Sequence, residues 1–571
     1  FFDKLAEGED VDVDTNLLFD TLIETTGKLN LSLEAGRSGE LYELIQVAVA
    51  FGASMILNKK STSFEEMFPR PSREEFRRRF ISKSNEIWRE EVKKFSNVRY
   101  CCLAVDAGTT RRTPYLDFIM HHSILGYTYI FQTIKINGTG NATNYQVALS
   151  NGIMMDERSK CNPSTIIVDG HTGQGKALTK GNEESIYSLM PEKNASEHTK
   201  RCFDVLHHII KVPCLCHIVS NSYKASVSAN ETIFNLITKF RDSANFIKNS
   251  KEIDFSCPTF IPTRWLYDFD IINFFYKKKE AINQILNAKG KATFSNDDFD
   301  KIYRVIEIHR ALVNIFSDPS TRLSSAFPLI EGACETLVEI ANQSKGIKKA
   351  FILYSKKTLL SYTINNKNGG IWILAYSLTP KGLHDILLRF KNEKANTSTA
   401  ENFKVISKKN SDNHNYDSEL LDFEYEHINN LFYEEDNEID DLQADAIENP
   451  QYIQSAVDEL KYIADILEYD SGRTNHLLAV YDAYIKGYIK DLIPNKALNL
   501  FNWASLYENE DLSDLADIAL RLEPATCSEA SAERAISTQR LIMEPRRDNA
   551  KKDLTDARLI YLRTKIDSIE K

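Results

Sequence analysis

No stretch of this sequence stays apolar for long enough to span a bilayer. The longest uncharged run near the start, 44–58, is interrupted by Gln46, Gly52 and Ser54 and falls short of the roughly 20 apolar residues a spanning helix needs. No membrane partner is expected. A basic leader followed by an apolar core and a small-residue cleavage site is also missing ahead of Asp3 and Lys4, so no secretory signal is read. Because the chain opens on Phe1 rather than Met, it is expected to be a piece that lacks its true start. The nine cysteines, Cys101, Cys102, Cys161, Cys202, Cys214, Cys216, Cys257, Cys334 and Cys527, have neither the density nor the spacing of a disulfide framework, which points to a reducing compartment.

Positive charge is in short supply too. The formal net charge is −11, awkward for nucleic-acid binding, where Lys and Arg neutralise phosphate. Charge must therefore be read locally. Arg70, Arg73, Arg77, Arg78 and Arg79 cluster after Pro69, Lys277 to Lys279 form a second basic run, and acid gathers around Glu434, Glu435, Asp436, Glu438, Asp440 and Asp441. Taken alone, each basic run reads most simply as a solvated face.

What the chain has in quantity is apolar and mixed-charge sequence, 42% hydrophobic and 26% charged over 571 residues, enough for a sizeable core and several domains. Helical spacing of Leu17, Leu18 and Leu22, then Leu41, Leu44, Ile45, Ala48 and Val49, marks 1–96 as a helical N-terminal region. From Val98 the chain turns apolar on both faces, as a central strand does, and this strand is expected to end at Asp106. Strands over 115–125 and 127–136, a helix over 144–155, a strand over 165–168, a helix over 196–210 and a strand over 212–215 follow. Three consecutive strands and then alternating helix and strand predict an α/β fold, a mixed sheet with helices on its faces, its first part spanning 97–262. Residues 263–510 read as a large all-helical insertion with Ile302, Val305, Ile306 and His309 at core spacing. Within it, an acidic stretch at about 392–449 has the composition of a mobile loop. The remainder, 511–571, is helical again, with Ser528 or Ser531 as N-caps.

Several constellations could carry chemistry. Asp106 and Asp169 each end a buried strand; on neighbouring strands their carboxylates would repel unless a divalent cation with hard oxygen ligands were shared. Either Asp alone is equally at home as a turn former that binds its own backbone. The run Gly170 to Lys176 matches the G-x-x-x-x-G-K core of a phosphate-binding loop, which would suggest nucleotide hydrolysis, but Ala177 stands where a Ser or Thr would hold magnesium. Cys214 and His217 are two possible zinc ligands where three or four are needed, and a buried strand cap explains them as well.

The segment Cys527-Ser-Glu-Ala-Ser-Ala-Glu533-Arg-Ala-Ile-Ser537, continuing through Arg547 to Leu554 and Leu562, resembles the C-terminal signature of hAT-superfamily transposases. On that resemblance Glu533 completes a catalytic triad with Asp106 and Asp169, Ile536 taking the place of the usual Phe. Other pieces fall in the family's order: Pro69-Arg70-Pro71-Ser72-Arg73 upstream, the Cys214/His217 pair, and Arg264-Trp265 ahead of the helical insertion. The resemblance implies an RNase H-like core interrupted by the insertion, two Mg²⁺ or Mn²⁺ ions held by Asp106, Asp169 and Glu533, and cut-and-paste DNA cleavage with strand transfer, leaving hairpins on the flanking DNA. It further implies transposon ends and target DNA as partners, a homodimer built on C-terminal helices carrying Leu554, Ala557, Ile560 and Tyr561, and action in the nucleus. Trp265 would stack on a flipped base unless it is simply a core residue. Cys214 and His217 would be active-site neighbours, and Arg264, Arg534, Arg73 and Arg77 candidate DNA contacts. Two departures stand out: Gly170-His171-Thr172 replaces the small polar residue usual after the second Asp, and no zinc-finger Cys/His set precedes the core. A transposase-derived DNA-binding or protein-interaction protein without catalysis is the alternative.

Overall fold

A computed structural model describes residues 72–95, 98–110, 113–122, 127–138, 141–154, 161–169, 172–249, 257–258, 265–366, 369–385, 451–486 and 500–534. The expected helices before residue 72, Arg264, the acidic stretch at 392–449 and the expected dimerisation helices beyond 534 lie outside the described residues.

The first element is helix α1 (Arg73–Phe95), with Glu74 and Glu75 in its first turn and Lys93 and Lys94 in its last, the charge order a helix dipole favours. Ser72 Oγ accepts the Glu75 N–H at 3.0 Å, and Phe76, Phe80 and Ser84 are buried at helical spacing. Strands β1 (Cys101–Thr110), β2 (Thr113–His122) and β3 (Tyr127–Lys135) follow as an antiparallel meander. Asp106 does not end β1. The strand runs on to Thr110 because 106–110 pair with 113–117 in a tight hairpin.

Helix α2 (Ala142–Ile153) is capped by Asn141, whose side chain accepts the Asn144 N–H. It lies so close to β2 that a Cβ on Gly152 would come 2.1 Å from the Phe118 ring. Next come β4 (Pro163–Val168), buried along its whole length, α3 (Thr172–Ala177), α4 (Glu197–His207) and β5 (Ile210–Pro213). Leu215, expected at the end of a strand, instead opens helix α5 (Leu215–Ser228), with Cys214 at its N-cap. The five strands form one sheet in the order β3-β2-β1-β4-β5, with β1, β4 and β5 parallel. This is the expected mixed sheet, within a mainly helical α/β chain.

The rest of the described chain is helical: α6 (Glu231–Asn249), α7 (Tyr267–Lys277), α8 (Lys279–Ala288), α9 (Asn296–Ser317), α10 (Ala326–Asn342), α11 (Gly346–Tyr362), α12 (Gly370–Ser377), α13 (Gln451–Ile466), α14 (Ser471–Ile485) and α15 (Ser513–Leu522). A capping box between Ser295 and Asp298 starts α9, and its stripe of Ile302, Val305, Ile306 and His309 is buried as the spacing predicts. No described helix is long and apolar enough to cross a membrane. All nine cysteines are buried and free of disulfides.

The chain divides into two compact units. One comprises Phe1–Pro163, Lys176–Leu206 and Ser531–Lys571; the other comprises Ser164–Gly175 and His207–Ala530. The core of the first unit is built on Cys101 to Val105 of β1, Leu116 and Phe118 to Met120 of β2, and Tyr145, Leu149 and Ile153 of α2. In the second, the apolar faces of α5, α6, α7 and α9 bury Tyr223, Phe240, Phe275 and Phe299, and α12 is buried on all sides.

Candidate functional site

Within the second unit, a group of side chains assembles where β4 ends and α5 begins. Asp169 follows the last residue of β4. The Cys214 N–H donates to the Val168 carbonyl at 3.0 Å and the Leu215 N–H to the Cys527 carbonyl at 2.9 Å, so the start of α5 is held by the strand end and by a distant segment at once. That segment is itself pinned. Leu323 N–H donates to Ala525 O at 3.0 Å, Ser528 Oγ donates to Phe316 O at 2.7 Å, and the Cys527 thiol donates to Arg322 O at 3.2 Å. These bonds fix Glu529, whose side chain is wholly buried.

One turn into α5, His217 meets both acids: its Nδ1 lies 2.5 Å from Glu529 Oε1 and 3.5 Å from Asp169 Oδ1. Burial disfavours the charged imidazole, yet the adjacent Glu529 carboxylate and the contact with Cys214 outweigh it and push the His217 pKa up to about 12. His217 is therefore a cation at neutral pH. Burial, a hydrogen bond with Cys216 and the charge of Glu529 together hold the Cys214 thiol well above its ordinary pKa, against the lowering pull of His217, so it is protonated.

Trp265 closes one side, its ring meeting the His217 imidazole edge-on with centroids 5.4 Å apart. The chain turns sharply after it, with Leu266 in the left-handed region at φ 44°, a conformation costly for a branched side chain. Leu266 N–H donates to Ser220 Oγ at 3.4 Å and Arg310 Nη1 to the Trp265 carbonyl at 3.4 Å. One turn on, buried Asp268 receives two bonds of 2.7 Å from the Arg241 guanidinium, a bidentate arrangement that fixes the start of α7.

Of the residues singled out from sequence, the fold thus gathers Asp169, Cys214, His217 and Trp265 in one unit. Asp106 and Glu533 belong to the other. Asp106 sits within β1, half-exposed, with Oδ1 accepting the Ala107 N–H at 2.7 Å. Directly opposite it on β2 is Asp117, fully buried; opposite residues of an antiparallel pair share a face, so a second carboxylate stands beside Asp106. Glu533 and Arg534 lie in the helical turn 530–534, Arg534 exposed, and Ser531 in that turn meets His121 Nε2 at 2.7 Å.

Three arginines of the cluster pair within their own helix, and Arg70 lies outside the described residues. Arg77 pairs with Glu74 at 3.6 Å, and Arg78 and Arg79 both reach Glu75, at 2.8 and 2.7 Å. The side chain of Arg73 lies outside the described residues. Thr172 to Gln174, which a phosphate loop needs in loop conformation ahead of its Gly-Lys, are already helical in α3. Gly170 and His171 lie outside the described residues.

Two functional candidates escaped sequence reasoning. Asp117 reads as an ordinary polar interruption in a strand. Glu529 lies four residues before Glu533, and only its wedging between Cys527 and Ala530, both apolar and buried, hints that it points inward. Cys214, His217 and Glu529 form the one group of His, Cys, Asp and Glu ligand atoms among the described residues in which all lie within 4.8 Å of one another. Comparison of the chain with protein-family models gives no match, and comparison with curated proteins gives none.

Proposed function

We propose that this chain is a DNA transposase of the hAT type, with an RNase H-like core, cutting and rejoining DNA in a metal-dependent reaction. The observation that carries the reading is a convergence. The resemblance names Asp169, Cys214, His217 and Trp265 as neighbours although nearly a hundred positions separate the first from the last, and in the fold His217 lies 3.5 Å from Asp169 and against the Trp265 ring. The sheet order supports it as well, since β1 with Asp106 is the parallel neighbour of β4, which leads into Asp169.

Carboxylate oxygens are the donors that a hard cation takes. Asp106, Asp169 and Glu533 offer carboxylate oxygens, and the cross-strand partner Asp117 adds like charge that a divalent ion relieves. Bound Mg²⁺ or Mn²⁺ would lower the pKa of the attacking hydroxyl and neutralise charge on the phosphodiester. Asp106, Asp169 and Glu533 would hold the ions; His217 would stand beside Asp169; the Trp265 ring would offer a face on which a displaced base stacks. Water would attack one phosphodiester and release a DNA 3′-hydroxyl, and that hydroxyl would attack a second phosphodiester, expelling the 3′-oxygen of the strand that it joins. Homodimerisation, DNA ends and target as partners, and a nuclear site of action belong to the same proposal.

The test is nicking of DNA carrying the element's own ends in Mg²⁺ or Mn²⁺, comparing the unaltered chain with Asp106→Asn and Glu533→Gln. Cleavage that disappears in both variants while they remain folded supports the reading. A folded chain that never cuts favours the second reading, a transposase-derived DNA-binding or protein-interaction protein without catalysis. The net charge of −11 and the glutamate-paired arginines of α1 lean that alternative toward a protein partner rather than duplex DNA.

A further inference from the structure

We propose that Cys214, His217 and Glu529 form a zinc site, its fourth position open toward Asp169 and solvent. The inference rests on these side chains and does not depend on DNA cleavage.

The first argument is ligand type and spacing. Thiol, imidazole and carboxylate are the three side-chain donors zinc uses, and their ligand atoms lie within 4.8 Å of one another. Cys214 caps α5 and His217 follows three residues later, which puts both on one side of the first turn. Magnesium and calcium, which require oxygen donors, do not suit a thiolate.

The second, independent argument is Glu529. It is wholly buried, and neither carboxylate oxygen has a hydrogen-bond partner among the described residues; its compensation is the close approach of His217 Nδ1 to Oε1. A carboxylate withdrawn from water and left with one partner is costly. A cation between Glu529, His217 and Cys214 supplies what is missing. Oε2 is the oxygen left for the ion, because His217 Nδ1 lies against Oε1, 2.5 Å away.

The site has an open side. Asp169 and His217 keep partial exposure, while Cys214 and Glu529 are sealed, so three protein ligands and one accessible position result, the pattern of a zinc that can take water or a further carboxylate. Binding releases protons from the Cys214 thiol and from His217, so affinity rises with pH. The ion would also tie the Ala525–Glu529 segment to the start of α5, two stretches some three hundred residues apart in the chain, which makes it a folding clamp.

The experiment uses the full chain purified without a metal-affinity tag. Zinc content is measured as isolated, and the zinc-free chain is then titrated with Co²⁺, whose thiolate charge-transfer absorption reports a cysteine ligand directly. The expected result is about one equivalent of zinc per chain and a charge-transfer band that Cys214→Ser removes, Glu529→Gln weakens at least tenfold in cobalt affinity, and Cys334→Ser, a buried thiol on α10, leaves unchanged. Circular dichroism establishes that each variant is folded. A folded unaltered chain that contains no zinc and gives no thiolate band with cobalt overturns the proposal, as does a band that survives Cys214→Ser. Should Cys214→Ser fail to fold, the unaltered chain and Glu529→Gln decide it.

Discussion

His217 Nδ1 and Glu529 Oε1 stand 2.5 Å apart, one partly exposed and the other sealed from solvent. The asymmetry dictates which partner is dispensable. Without Glu529, the imidazole can lose its proton or turn toward water; without His217, a buried carboxylate is left with no cation beside it. In the metal-free chain, His217→Leu is expected to cost about 3 kcal/mol, as deletion of one member of a buried pair does, and Glu529→Gln clearly less. The double variant His217→Leu with Glu529→Met should recover most of the loss, because the stranded charge is then gone. Urea denaturation of the four chains in chelator measures this; equal costs for the two single variants would show that the pair carries no such asymmetry.

The strands were legible because burial on both faces leaves a strong trace: the apolar runs at Cys101–Val105 and Ile166–Val168 are strands whose residues are all buried. What misled was the polar tail of β1. Asp106 to Thr110 look like a turn, and only pairing with Thr113 to Asp117 makes them strand, a partner that local sequence does not announce. Leu215 is apolar and follows a strand, yet its N–H bonds to Cys527, and this long-range bond ends the strand and allows the helix to start. Asp169, Cys214, His217 and Trp265 were found through a sequence pattern. Glu529 was not, since its placement comes from bonds that Ser528 and Cys527 make to Phe316 and Arg322, some two hundred residues away.

Gly152 on α2 is held against the Phe118 ring, and a methyl group added there would lie only 2.1 Å from Cζ. Phe118 is fully buried on β2, so moving its ring means displacing other core side chains. Gly152→Ala therefore sets helix propensity, which favours Ala by about 1 kcal/mol, against overpacking, which costs about 1–3 kcal/mol. The second wins, and a net destabilisation is expected. A chemical-denaturation midpoint that rises for Gly152→Ala would contradict the packing; pairing it with Phe118→Leu, which vacates the ring, should reverse the sign.

His309 gives the chain a definable acid sensitivity. On α9 its Nδ1–H donates to the Val305 carbonyl at 2.8 Å, Nε2 has no partner among the described residues, and the ring packs against Tyr223 at 5.6 Å. Burial lowers its pKa from the ordinary 6.5 to about 4. The unfolded chain takes up this proton near pH 6.5 and the folded chain only near pH 4, so between these values the unfolded state binds more protons and stability falls as pH falls. Above pH 6.5 the group contributes no slope. At about 1.4 kcal/mol per pH unit the loss reaches roughly 3 kcal/mol by pH 4. Because other groups also titrate, the test is a difference: unfolding free energies of the unaltered chain and of His309→Leu at pH 4.5, 5.5 and 7. The gap between the two should shift steadily in favour of His309→Leu as the solution is acidified; parallel curves would mean that the imidazole is protonated, or solvated, inside the fold.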